Sequence, residues 1–391
     1  DMVDNILHMV LARTPDAPPG TRGLSLFLVP KIMPDTGQPN SLHTARLEEK
    51  LGMHASPTAE IVYDNAAAWM IGDENRGMSC MFKMMNNTRL SVGHQGLGIT
   101  ERAYQQALAY AKERIQGRDI AGDGPEPVTI VNHGDVRRML LTIKAHAEAM
   151  RALVYFTALS LDLATNHPEK LVREGRVGRV GLPAAMVKAW GTVLGVDAAS
   201  LGIQVHGGTG DIEETGAARH LRDARVTTIY EGTNGIHALD LVRRKLVVDN
   251  GAAARIMIEE IRQFDGALAL AEGDMDLMRI RAALADGGAA LARATEWISE
   301  ANDTAPGQAS AGAVPYLRLF GTVLGGWLMA RAAMLAGEKL GPDAGSDADF
   351  YRAKQATALF YAESVMADCV ALERAATSGA EAVMASKVSN F

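Results

Sequence analysis

Cysteine is almost missing from this chain of 391 residues. Only Cys80 and Cys369 occur, far apart and without metal-ligand spacing. That excludes a disulfide-stapled scaffold, and a reduced, cytoplasmic protein is the simple expectation. Positive charge is in the minority, with 39 Lys and Arg against 46 Asp and Glu and a net charge of −7. A nucleic-acid surface would need a basic face, so that class is set aside. No apolar run approaches the roughly 20 residues that span a bilayer. The first residues, Asp1 to Asn5, have neither the basic start nor the apolar core of a signal peptide. Aromatics are scarce at 5%, while Ala, Gly and Met are plentiful. This composition favours close-packed helices with small contact residues. With 48% hydrophobic and 22% charged residues, the chain can build two or three cores.

The beginning reads as β. His8–Arg13 and Leu24–Val29 are short apolar runs separated by the turn-forming Pro15–Gly20, and Glu60–Asp64 resembles another strand. Two or three strands cannot bury both faces of a sheet, so upstream strands are expected to be missing. From Gly77 the period turns helical, through Arg89–Arg114, Asp135–Asn166, Pro183–Val205 and Asn234–Val248. Loops are expected at Gly117–Pro127, His167–Gly181 and Gly207–Gly216, which implies a helix bundle. Gly251–Ala254 is a plausible boundary, followed by about four more helical segments. The expected architecture is mainly α: a partial β-domain over 1–75, a helical bundle over 76–250 and an additional helical domain over 251–391.

Three segments carry possible chemistry. Met84-Met85-Asn86-Asn87-Thr88-Arg89 leads into Gly93, Gly96 and Gly98. Gln204-Val205-His206-Gly207-Gly208-Thr209-Gly210 forms the second, and Arg222-Asp223-Ala224 followed by Ile229-Tyr230-Glu231-Gly232-Thr233 the third. In the third, Thr233 is a good N-cap for the next helix, so Glu231 sits near that helix's positive end. Gly232 permits close approach of a backbone or ligand. A capping acid that only stabilises the helix start would look the same. The glycines after His206 offer N–H groups to phosphate, or make a plain interhelical turn. Gly93, Gly96 and Gly98 read as close-packing contacts. Arg89, Arg114 and Arg243 read by default as solvated or ion-paired, and His94, His133 and His206 do not form a metal set.

Together and in this order, these segments resemble the acyl-CoA dehydrogenase family from about His8 to Lys245. Ile229–Thr233 is similar to the signature around the family's catalytic glutamate. Arg114-Ile115-Gln116-Gly117 resembles a flavin-binding Arg-x-Gln-Phe-Gly without its phenylalanine, and Gln204 to Gly208 resembles Gln-x-x-Gly-Gly. Gly134 stands where many relatives have glutamine. A finer resemblance, through Leu51–Thr58, Asp135–Leu140 and the helical tail, is to a long subfamily acting on 3-methylmercaptopropionyl-CoA in dimethylsulfoniopropionate breakdown.

The resemblance implies FAD-dependent α,β-dehydrogenation of an acyl-CoA thioester, with Glu231 as the α-proton base and flavin N5 as hydride acceptor. It implies that Arg114 and Gln116 meet the pyrophosphate and adenosine side of FAD. Gln204, Gly207 and Gly208 would meet FAD from a neighbouring subunit, and Thr233 the flavin. Asn86, Arg89, Gly232 and Arg243 would serve the substrate, Arg89 near the catalytic carboxylate and Arg243 on CoA. It further implies a homo-oligomer, dimer or dimer of dimers, and an electron-transfer flavoprotein as electron acceptor. A short- or medium-chain acyl-CoA dehydrogenase, an acyl-CoA oxidase, and a flavin-free helical interaction protein are the alternatives.

Overall fold

The computed structural model describes residues 3–122, 124–270, 273–340 and 342–390, without the side chains of 86, 87, 174, 176–180 and 342–344. The chain divides into two compact units, 1–88 and 89–391.

The first unit is built on β-strands. β1 (Leu7–Arg13), β2 (Leu24–Pro30) and β5 (Trp69–Ile71) form an antiparallel sheet in the order β1-β2-β5. Leu7 faces Pro30 and Leu26 faces Ile71. β3 (Leu42–Leu47) and β4 (Ala59–Tyr63) make a separate antiparallel pair. The expected strands are present; β3 and β5 were not foreseen. The turn after β1 is held by Arg13, which donates to the carbonyls of Pro18 (2.8 Å) and Gly20 (2.7 Å). Buried Asn40 works as a staple. Its amide donates to Pro30 and Ala67, and its carbonyl accepts from the backbone N–H of Ser41 and Ala67. Such full pairing is what a buried amide requires.

The long helix α1 runs Gly77–Glu113, starting twelve residues before the expected Arg89. At its first residue a side chain would strike the β2 backbone, 2.5 Å from the Ser25 carbonyl carbon. Only glycine lets helix and strand meet there.

In the second unit, α1 continues beside α2 (Gly134–Asn166) and α3 (Lys170–His206). A hairpin of β6 (Ile115–Arg118) and β7 (Pro127–Thr129) brackets the expected loop after α1, taking Gly117, Arg118 and Pro127 of it into strand. α4 (Ala217–Thr227) and α5 (Asn234–Asp240) follow; a π turn over Leu241–Lys245 then leads into the short α6 (Leu246–Val248). The remaining helices are α7 (Ala252–Ala269), α8 (Met275–Thr304), α9 (Pro306–Ala311), α10 (Ala313–Lys339), α11 (Ala348–Phe360), α12 (Cys369–Ala376) and α13 (Ser378–Ala385).

Small residues set the spacing, as the composition implied. A Cβ on Gly93 would lie 2.8 Å from the Val187 carbonyl oxygen, and one on Gly96 would lie 2.6 Å from that of Gly191. Gly98 has nothing within 4 Å; it is not a packing glycine, contrary to expectation. On α10, Gly321 and Gly325 make room for Trp190, and Gly326 for Met366. One continuous apolar core therefore joins α2 and α3 to α8 and α10. Among the described residues α10 is long and apolar enough to cross a membrane, which the sequence reading did not anticipate. However, 78% of its apolar window is buried, as expected of a helix that is apolar on all sides because it is core. Four arginine–carboxylate pairs, Arg255–Glu296, Arg281–Asp265, Arg279–Glu363 and Arg293–Glu373, fasten the outer helices.

Candidate active site

The segment between α4 and α5 turns sharply. The backbone N–H of Tyr230 donates to Val226 (3.0 Å) and that of Asn234 to Thr228 (3.1 Å). Between them, Glu231 has φ +55° and Gly232 φ +87°. A left-handed conformation costs a non-glycine residue of order 1–3 kcal/mol and persists only where surroundings enforce it. Glu231 is half-buried. Thr233 occupies the N-cap position of α5, but its side chain makes no capping bond. The residue is exposed, and the expected side-chain cap does not form.

The enforcing groups lie beneath the turn. Lys188 of α3 is fully buried; its Nζ donates to the Gly232 carbonyl (2.7 Å) and to Asn234 Oδ1 (3.0 Å). Asn234 Nδ2 in turn donates to the Ala189 carbonyl (3.0 Å) and Thr192 Oγ1 (3.1 Å). His237 Nε2 lies 3.1 Å from the Glu231 carbonyl. A carbonyl only accepts, so this nitrogen carries the proton.

Burial, with the positive charges of Lys188 and Arg89 beside it, lowers the His237 pKa to about 4. The ring is therefore neutral near pH 7. Burial likewise pushes Lys188 down to about 8; the Glu231 carboxylate opposes this and Arg89 adds to it. Arg89 is itself buried, and its Nη1 lies 3.5 Å from Asp240 Oδ2, while Arg244 holds the other oxygen at 2.5 Å. Tyr230 donates its hydroxyl proton to Gln95 Oε1 on α1.

Glu231, Gly232, Thr233 and Arg89 thus share one neighbourhood. A second group gathers at the far end of α1. The Tyr110 ring stacks on His206 at 4.5 Å, and its hydroxyl lies 2.8 Å from Thr209 Oγ1. This fastens α1, four residues before Arg114, to the end of α3 and the glycine loop after it. Arg114, Gln116, Gln204, Gly207 and Gly208 are all exposed. Gly207 has φ +59°, and neither it nor Gly208 has an atom within 4 Å of where a Cβ would stand. The loop presents bare backbone with room above it, which fits a pyrophosphate or ring edge.

Arg243 stands apart. The π turn carries it to α8, where its Nη1 lies 3.2 Å from both the carbonyl and the Oδ1 of Asn302. Between Glu231 and Arg243 the helix changes pitch, at Leu241. The side chain of Asn86 lies outside the described residues. Sequence reasoning missed Lys188, Asn234 and His237. A lone cation inside the apolar stretch Pro183–Trp190 was the available signal for Lys188.

A family model described as "Acyl-CoA dehydrogenase, C-terminal domain" matches residues 75–246, and one described as "Acetyl-CoA dehydrogenase C-terminal like" matches 257–387. The 3-methylmercaptopropionyl-CoA dehydrogenase of Ruegeria pomeroyi is 45% identical over 95% of this chain and 63% of its own length. A butyryl-CoA dehydrogenase of Syntrophomonas wolfei is 33% identical over 96% of this chain and 63% of its own. The solved acyl-CoA dehydrogenase of Bacillus anthracis complexed with FAD shares the fold, with a TM-score of 0.72 over 97% of this chain and 63% of that one, at 17% identity. The chain therefore spans just under two thirds of the length of these relatives.

Proposed function

The chain belongs to the acyl-CoA dehydrogenase family, and from that premise we propose that its protein performs FAD-dependent α,β-dehydrogenation of an acyl-CoA, with Glu231 as the base. The observation that carries this reading is the posture of Glu231. It is a half-buried carboxylate in a left-handed backbone, over a buried lysine and a neutral histidine. A helix-capping acid needs none of that support.

Bound FAD supplies the two-electron acceptor for the hydrogen that leaves the β-carbon. The residues of this chain do the rest. Glu231 takes the α-proton on a carboxylate oxygen. Its backbone N–H is suited to donate to the thioester oxygen, and a single oriented donor of that kind contributes roughly 3–4 kcal/mol. Substrate that expels water from the turn makes the carboxylate a stronger base. Arg89 holds Asp240 and α5 in place beneath the turn, and the unused hydroxyl of Thr233 is available to the flavin. Arg243 and Asn86 are the proposed CoA contacts.

Arg114, Gln116, Gln204, Gly207 and Gly208 would hold FAD from the far end of α1. Gln95 and Tyr110, which mark the two groups, are fifteen residues apart, about 22 Å along a helix. That separation favours a loop that serves the flavin of a second copy, and so a homo-oligomer. Residues 251–391 are read as an added helical domain. The electron acceptor is proposed to be an electron-transfer flavoprotein, and the compartment the cytoplasm.

The substrate proposed is 3-methylmercaptopropionyl-CoA, on the strength of the 45% identical relative; butyryl-CoA is the second candidate, from the S. wolfei relative. Anaerobic bleaching of the flavin band by a panel of acyl-CoAs tests this. Fastest bleaching by the methylthio thioester is expected. Faster bleaching by butyryl-CoA would reassign the substrate, and no bleaching by any thioester would refute the activity.

A further inference from the structure

Lys188 has no exposed surface and no carboxylate bonded to it; among the described contacts, both acceptors of its ammonium belong to the turn, the Gly232 carbonyl at 2.7 Å and Asn234 Oδ1 at 3.0 Å. Burying a charge is expensive unless it is paired and hydrogen-bonded. A methionine would fill the same space on α3 without that cost. The lysine must therefore contribute something an apolar residue cannot.

We propose that Lys188 is the positioning residue of the Glu231 turn. From below, its ammonium ties the Gly232 carbonyl and the Asn234 side chain to α3, and His237 ties the adjacent Glu231 carbonyl to α5. Two consecutive carbonyls are thus each fixed by a side chain from a different helix. Between those anchors the backbone holds Glu231 at φ +55° and aims its carboxylate.

The charged groups around Lys188 are Glu231, Arg89 from α1 and, through His237, Asp240 from α5. Arg89 is matched by Asp240.

This inference rests on Glu231 as the base, so the test separates the two. Lys188→Met is compared with wild type by hydrogen exchange over residues 228–234, which needs neither flavin nor substrate. Its kcat and KM are measured on the flavin-loaded protein. Exchange in the turn should rise at least about tenfold, with α2 unchanged. kcat should fall about tenfold or more with KM nearly constant.

If Lys188→Met does not fold, Lys188→Gln, which keeps a donor but no charge, is read the same way. For it exchange should rise less and kcat should fall less. Unchanged exchange together with an unchanged kcat in Lys188→Met would overturn the proposal. If the exchange rises but Glu231→Gln still reduces flavin, the base reading fails and the clamp stands.

Discussion

Two glycines two residues apart on α1 should respond to alanine with opposite signs. At Gly96 a new Cβ would sit 2.6 Å from the Gly191 oxygen, 2.8 Å from its carbon and 3.0 Å from the Thr192 nitrogen. All three are backbone atoms of α3, so no side chain can swing away, and the helices must part by some tenths of an ångström. Overpacking of this kind costs about 1–3 kcal/mol. Alanine's better helix propensity returns about 0.8–1 kcal/mol, leaving a net loss of up to about 2 kcal/mol. At Gly98 nothing lies within 4 Å, so only the propensity gain remains, up to about 1 kcal/mol of stabilisation. Urea denaturation followed by far-ultraviolet circular dichroism measures both. Gly96→Ala should also slow flavin reduction, because Lys188 and Thr192 hold the Glu231 turn from the same stretch of α3. Equal midpoints for Gly96→Ala and wild type, or a Gly98→Ala variant as weak as Gly96→Ala, would refute the packing argument.

Acid should weaken the fold through two histidines, the buried His237 and the half-buried His146. His237 and His146 both have folded pKa values of about 4 against 6.5 when exposed, in each case chiefly through burial. Their folded values are depressed, so the unfolded chain binds more protons as pH falls. The stabilisation is complete above about pH 6.5 and disappears toward pH 4, worth up to about 3 kcal/mol each. Stability that stays flat between pH 7 and 5 would contradict this. Asn302→Leu should destabilise by about 1–3 kcal/mol. It strips the partner from the Val242 carbonyl, which lies in the π turn, and from Arg243. Thermal denaturation showing no loss would mean that the π turn is stable without α8.

Much of the fold was legible because the helical period is strong. The segment expected at Asp135–Asn166 runs Gly134–Asn166. The stretch Lys170–Gly181 read as a loop because glycines recur at 175, 178 and 181, yet α3 begins at Lys170. The buried stretch from Leu182 to Trp190 anchors this helix, and a helix once formed propagates at little cost through weak formers. β5 and β7 have three residues each, too few to show alternation. The π turn depends on Asn302, sixty residues downstream, so local pattern carried no sign of it.

In the candidate site, Glu231 and the glycines at 207 and 208 were legible by motif. Their supports were not. Lys188 looks like any helical lysine until two acceptors of a distant turn close on it. Gly93, Gly96 and Gly98 look alike in the sequence, and only the neighbouring helix separates the two that pack from the one that does not.

The central claim is that Glu231 removes the α-proton. Single-turnover reduction of the flavin by 3-methylmercaptopropionyl-CoA in Glu231→Gln tests it most directly. The rate should fall by about a hundred- to ten-thousand-fold, with flavin content and circular dichroism as in wild type. Reduction within tenfold of the wild-type rate would contradict it.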